Sequence, residues 1–135
     1  MRPTWVFDVD GCLVDSLTGT SLRPGALELL AHLRGQGCTL LLWSAGGAAY
    51  AQQRAVEQRV SEFFDGFHDK EGRDAAGRFV IHRLRADLDS LVFVDDRPED
   101  MPVGAEVVAV APYLVDNPYD RGLAPAAARA GSVSR

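Results

Sequence analysis

At 135 residues the chain has room for one core, because domains run to roughly 150 residues. Apolar residues make up 47% of it and charged residues 24%, a globular rather than a disordered balance. Fourteen Lys and Arg against nineteen Asp and Glu give a formal charge of −5, which argues against a general nucleic-acid binder and against a membrane-surface binder, since both need positive charge in bulk or in patches. No apolar run approaches the ~20 residues of a membrane span. Arg2-Pro3 leads almost at once into a strand-like run, which argues against a signal peptide. Cys12 and Cys38, with 25 residues between them, belong to no metal-ligand spacing. They are expected to be small buried residues in a reducing, cytoplasmic setting.

Thr4-Trp5-Val6-Phe7 is an aromatic and β-branched run ending in Asp8, and it predicts a buried strand. Asp10-Gly11 breaks it, and a polar stretch follows from Asp15 to Arg23. Pro24 suits the first position of a helix, with Ala26, Leu27, Leu29, Leu30 and Leu33 on its inner face and a stop near Gly35 and Gly37. Cys38 to Trp43 reads as a second strand, apolar throughout. After the turn Ser44-Ala45-Gly46-Gly47, a helix is expected from about Ala48 to Val60, with Ala49, Val56, Val60 and Phe63 facing inward. Phe64 to Phe67 reads as a short strand, 68–78 as a polar loop, and Phe79 to Arg85 as one or two helical turns. Leu91-Val92-Phe93-Val94 is a third strong strand, ended by Asp95-Asp96, and Val107 to Ala111 a fourth. From Pro118 the composition turns to Ala, Gly, Pro, Ser and Arg. A core over 1–117 is therefore expected, followed by a frayed tail over 118–135 with a short helix at Ala126–Ala130. Continuous apolar strands separated by helices indicate an α/β fold, a three-layer doubly wound parallel sheet covered on both sides.

Polar residues stand just past the ends of the three strong strands: Asp8 and Asp10, then Ser44, then Asp95 and Asp96. In a parallel sheet these ends share one edge, where open α/β sheets bind their ligands. Four carboxylates gathered there need a cation, and hard oxygen donors with no His or Cys nearby point to Mg²⁺. The one lysine of the chain, Lys70, lies in the polar loop between the second and third of these strands. A cation beside the carboxylates could keep one of them ionised and attract an anionic substrate.

This ordered set resembles the haloacid dehalogenase superfamily. Val6-Phe7-Asp8-Val9-Asp10-Gly11 matches its first motif, Leu41-Leu42-Trp43-Ser44 its second, Lys70 its third, and Val92-Phe93-Val94-Asp95-Asp96 its fourth, with Asp100 four residues beyond. The resemblance implies a phosphatase in which Asp8 is the nucleophile and Asp10 the general acid and base. It also implies that Ser44 and Ala45 line the phosphoryl site and that Lys70 balances its charge. Mg²⁺ would be held by the Asp8 side chain, the Asp10 carbonyl and Asp96, with Asp95 and Asp100 in support. Arg78 and Arg83 are the alternatives to Lys70, because in some relatives the basic residue sits closer to the fourth motif. A catalytically silent phosphate-binding or regulatory module is the competing functional reading, although it would have no need of Asp10.

From Asp10 to Ser44 there are 34 residues and from Ser44 to Lys70 there are 26. Each gap is filled by one helix and its connections, so neither can hold the cap domain that many relatives carry. An open site is expected, with a phosphorylated small molecule or macromolecule as substrate. Water would be excluded by the substrate, by a flap around Leu13–Leu22 or by a neighbouring subunit in an oligomer.

Overall fold

The computed structural model describes residues 2–81, 84 and 87–131. Strand β1 is Thr4–Asp8, followed by helix α1 at Ala26–Gly35, β2 at Thr39–Ser44, α2 at Ala48–Glu57, β3 at Gly66–Asp69, β4 at Leu91–Asp95, β5 at Glu106–Ala109 and α3 at Ala124–Ala130. The strands form one sheet in the order β3-β2-β1-β4-β5, and every pairing is parallel. β1 lies at its centre, with Val6 opposite both Leu41 and Phe93. Its residues Trp5, Val6 and Phe7 are at most 1% exposed. A strand flanked on both edges and covered on both faces has no solvated side, which is why the run carries no polar alternation.

Alternate residues of the strands enter two cores. Trp5, Phe7, Leu40, Leu42, Val92 and Val94 face the helices, against Leu29, Leu30 and Leu33 of α1, Ala51 and Ala55 of α2, and Ala126 and Ala130 of α3. Val6, Leu41, Trp43, Leu91 and Phe93 face the other way, onto Phe79, Leu84 and Met101. Trp43 anchors this second core, its ring 5.4 Å from that of Phe93 and 5.9 Å from that of Phe79. Both faces are thus covered, but among the described residues the second cover has no α-helix. Irregular chain supplies it, with short 3₁₀ turns at Leu88–Ser90 and Pro98–Asp100.

Several element boundaries differ from the sequence expectation. α1 begins at Ala26 behind Gly25, so Pro24 lies outside it, and Leu27 is 48% exposed. α2 ends at Glu57, and the chain bends away at Arg59, whose φ is 60°. Its inner face is Ala51 and Ala55, while Ala49 and Val56 are exposed. Two alanines one turn apart let the helix lie close to the sheet, and the larger Val56 misleads a reading based on apolar size. Phe79, Val80 and Ile81 are not helical; His82, Arg83, Arg85 and Ala86 lie outside the described residues. β5 stops at Ala109. Beyond Pro118 the helix is packed rather than frayed, with Leu123, Ala126 and Ala130 at most 8% exposed in the main core.

What packs this last segment in place is Arg23. Its side chain is fully buried, its Nε donates to Asp120 at 2.7 Å, and its Nη1 reaches the Cys12 carbonyl at 3.4 Å. The guanidinium also lies 5.3 Å from the Tyr113 ring centroid. Gly122 passes so close that a Cβ there would overlap Arg23 Nη2 at 1.7 Å. The composition of this region looks like a linker because close packing around one buried arginine calls for small residues.

Candidate active site

The chain leaves β1 and β4 in opposite directions along the sheet: β1 leads to β2 on one side, while β4 leads to β5 on the other. The edge between them is the switch point at which parallel sheets open a crevice. Asp8 ends β1 there and Asp95 ends β4. Their residues are 8% and 1% exposed. Asp96 follows, half-buried. One carboxylate oxygen from each of Asp8, Asp95 and Asp96 lies within 4.8 Å of the others. Gly11 makes room for the third: its φ is +77°, and a Cβ would stand 2.9 Å from Asp96 Oδ2. Gly11 is therefore required twice over, by the left-handed backbone and by the closeness of the carboxylate.

Lys70 enters the same cluster from the end of β3. Its Nζ is 3.0 Å from Asp8 Oδ1 and 3.6 Å from Asp95 Oδ2. The ammonium lies 5.2 Å from the Trp43 ring centroid and 4.8 Å from that of Phe79, so the second core holds the cation as well as the sheet. Its backbone is fixed too, the Lys70 amide donating to the Ser44 carbonyl at 3.1 Å. Burial alone would lower the lysine, but Asp8 and Asp95 more than offset it and hold the ammonium above its ordinary range. Burial pushes Asp8 up to about 7 against the pull of Lys70, with Asp95 and Asp96 adding repulsion. Asp95 rises to about 6, again through burial first.

Three carboxylates facing one ammonium leave an excess of negative charge. Asp95 Oδ2 is buried without a hydrogen-bond donor. An all-oxygen donor set, in which one buried oxygen meets the ammonium only at ion-pair distance and accepts no hydrogen bond, fits a hard divalent cation such as Mg²⁺.

Ser44 ends β2 and is 3% exposed. Its Oγ accepts a hydrogen bond from the Gly46 amide at 2.9 Å, which orients the oxygen and leaves the hydroxyl proton to donate elsewhere. Ala45 is exposed in the same turn. Asp10 stands outside the carboxylate cluster, exposed, with Oδ1 accepting from the Tyr50 hydroxyl at 2.7 Å. Asp8, Lys70, Asp95 and Asp96 thus converge, Ser44 ends the adjacent strand with its carbonyl bonded to the Lys70 amide, and Asp10 stands two residues beyond β1 at the start of the flap.

The remaining candidates lie elsewhere. Asp100 is held by Arg73 at 3.1 Å and Arg97 at 3.0 Å. Arg78 turns away and donates to the Met101 carbonyl at 2.7 Å, and Arg83 lies outside the described residues. The His68 ring folds back over Gly66, whose Cβ position is 3.0 Å from His68 Nε2. Sequence reasoning missed Tyr50, although its place six residues beyond Ser44, in the first turn of α2, was a usable signal. It also missed the aromatic seat of Lys70, for which no local pattern exists.

The flap is a narrow hairpin: Val14 bridges Leu22, and the Asp15 amide donates to the Ser21 carbonyl at 3.1 Å. The next links run from one connection to the other, Ser16 to the Tyr113 carbonyl and Leu17 to that of Leu114, both at 3.0 Å. Among the described residues, no cap covers the edge. Two clefts, of about 280 Å³ beside the starts of α1 and α3 and about 310 Å³ around Arg2 and Arg129, contain none of the site residues.

A capless core with carboxylates ending two adjacent parallel strands and a buried lysine between them defines a phosphatase of the haloacid dehalogenase superfamily. A haloacid dehalogenase-like family hydrolase from Streptococcus pneumoniae has the same fold, with a TM-score of 0.67 and 16% identity over 84% of this chain and 87% of that one. The core domain of a candidate phosphoglycolate phosphatase from Streptococcus pneumoniae TIGR4 gives 0.55 and 15% over 90% and 85%. An uncharacterized protein from Listeria monocytogenes serotype 4b gives 0.63 and 13% over 92% and 88%. No curated protein sequence is significantly similar. Residues 3–130 match the model of the NLI interacting factor-like phosphatases, and the chain belongs to that family. Among the described residues, no helix is long and apolar enough to cross a membrane.

Proposed function

We propose that the protein is a Mg²⁺-dependent phosphomonoesterase that works through an aspartyl-phosphate on Asp8. The observation that carries this reading is the 3.0 Å contact of Lys70 with Asp8 inside the cluster of Asp8, Asp95 and Asp96. Asp8, Asp96 and the Asp10 carbonyl would hold the metal, with Asp95 beside it. The bound ion would neutralise the carboxylates and draw charge from a phosphoryl oxygen.

Asp8 attacks phosphorus as the bond to the leaving oxygen breaks, and Asp10 gives its proton to that oxygen. Asp10, now a carboxylate, takes a proton from water as the water attacks the phosphoryl group on Asp8. Inorganic phosphate leaves, and both aspartates return to their starting states. Lys70 and the Ser44 hydroxyl face the equatorial oxygens, where charge accumulates. The substrate is a phosphorylated small molecule or macromolecule, reached from an uncovered edge. Both cysteines are free and buried, in keeping with a cytoplasmic setting.

The test is hydrolysis of 4-nitrophenyl phosphate with Mg²⁺ or with EDTA, by wild type and Asp8→Asn. Metal-dependent turnover lost in the variant is the expected result. Turnover that survives Asp8→Asn would overturn the covalent reading. An inactive wild type that also fails to take up beryllofluoride at Asp8 would point to a silent binding module.

A further inference from the structure

Asp10 differs from the other carboxylates of the site. It is exposed, it lies outside the cluster of Asp8, Asp95 and Asp96, and its Oδ1 accepts a hydrogen bond from the Tyr50 hydroxyl at 2.7 Å. Free carboxylates on a loop sample several rotamers, and a proton donor that must meet one oxygen atom loses rate with each of them. Tyr50 is itself braced. It is half-buried in the first turn of α2, with the Arg54 guanidinium 5.1 Å from its ring centroid. Arg54 is held in turn by Glu57 at 2.9 Å and lies against the flap tip, where a Cβ on Gly19 would stand 3.1 Å from it. Gln58, on the same side of α2, donates to the Thr20 carbonyl of that tip.

The chemistry of this contact is specific. A carboxyl group whose Oδ1 is engaged by a phenol hydroxyl leaves Oδ2 as the oxygen free to face a leaving group. One oxygen is anchored to a helix, and the rotamer of the other is fixed with it.

We propose that Tyr50 is a positioning residue for Asp10: it anchors Oδ1 to α2 and so aims Oδ2 at the leaving group, and Arg54 and the flap tip hold it there. The inference rests on Asp10 being the general acid. It makes α2, rather than the flap alone, the element that sets protonation of the leaving group.

Leaving-group dependence separates positioning from simple structural support. Nitrophenolate departs almost unaided, whereas an alkoxide needs the proton, and general acids contribute roughly 10²–10⁴-fold where they are needed. Wild type, Tyr50→Phe and Arg54→Met are compared by kcat/KM in Mg²⁺ on 4-nitrophenyl phosphate, phenyl phosphate and 2-glycerophosphate. Tyr50→Phe is expected to lose about tenfold or more on 2-glycerophosphate and under about threefold on 4-nitrophenyl phosphate. Arg54→Met should shift in the same direction by less. On an Asp10→Asn background, Tyr50→Phe should add no further loss on 2-glycerophosphate. An equal loss on all three esters, or no loss on any, would overturn the proposal. A wild type inactive on all three would remove the mechanism on which it rests, and that outcome is read before any variant is made.

Discussion

Asp8 and Asp15 are both buried on the same stretch of chain, and the fold treats them in opposite ways. Asp15, at the base of the flap, is 1% exposed. Burial pushes its carboxyl up, but donors surround it. The Thr18 amide and hydroxyl, the Thr20 amide and the Ser21 amide all reach its two oxygens within 3.2 Å. They outweigh burial and bring it down to about 2. Asp8 has one ammonium and two further carboxylates for neighbours, and it is left at about 7. One site spends donors on a charge that only has to stay; the other withholds them from a charge that has to react and to share a cation. A buried carboxylate whose neighbours are also carboxylates is unfavourable for stability and useful for chemistry.

Asp8→Asn gives the largest expected effect. Turnover in Mg²⁺ should fall about a thousandfold or more, as nucleophile removal does in covalent catalysis. In EDTA at pH 8 the same variant should melt higher than wild type, because one of three crowded charges is gone. A melting temperature that falls instead would remove the contrast between the two aspartates. Lys70→Met should follow, losing on the order of a hundredfold in kcat, and Lys70→Arg should not restore it. The seat between Trp43 and Phe79 leaves the side chain 8% exposed, too tight for a planar guanidinium.

Asp15→Asn should act on stability. The shell around Asp15 is mostly backbone donors, so an amide NH₂ would meet N–H groups that cannot accept from it and would leave at least one of them without its acceptor. The expected cost is about 2–3 kcal/mol, read by urea unfolding, with turnover falling less than tenfold. A variant as stable as wild type would mean that the turn holds itself and that Asp15 merely occupies it.

The two aspartates also differ in how far they could be read in advance. Asp8, Ser44, Asp95 and Asp96 were legible because strand ends are legible: an apolar run that stops at a polar residue fixes the edge on which that residue stands. Lys70 stood out only as the one lysine of the chain, in a polar loop. The parallel sheet followed from the same runs. Asp15 gave no such signal, because its value comes from the backbone amides of residues 18–21, and any turn sequence supplies those. Arg23 with Asp120, 97 positions apart, and the aromatic seat of Lys70 depend on pairings that only the closed fold creates. Phe79, Val80 and Ile81 carry the apolar spacing of a helix and yet are not helical, because the Phe79 amide is taken by the Asp100 carbonyl at 2.8 Å and the Val80 amide by that of Gly72 at 3.0 Å.

The smallest effect is the one that weighs the two carboxyls on a single scale. An Asp has an ordinary value of 3.8. Asp15 is depressed in the folded state, so its stabilisation is complete above pH 3.8 and is lost as pH falls through about 2; the change is worth about 2 kcal/mol. Asp8 is raised, so its contribution is complete below 3.8 and is lost as pH rises through about 7. Urea unfolding of the protein in EDTA across this range should therefore show stability that climbs up to about pH 4 and declines towards pH 7. Asp15→Asn should flatten the acid limb and leave the decline. Asp8→Asn should shrink the decline and leave the acid limb, with a remainder from Asp95, which is raised in the same direction. Millimolar Mg²⁺ should abolish the decline in wild type, since a cation that binds the ionised cluster stabilises the fold wherever those carboxylates are charged. A decline that persists in Mg²⁺ would mean that the three carboxylates do not share an ion, and the distinction between the two aspartates would then be one of hydrogen bonding alone.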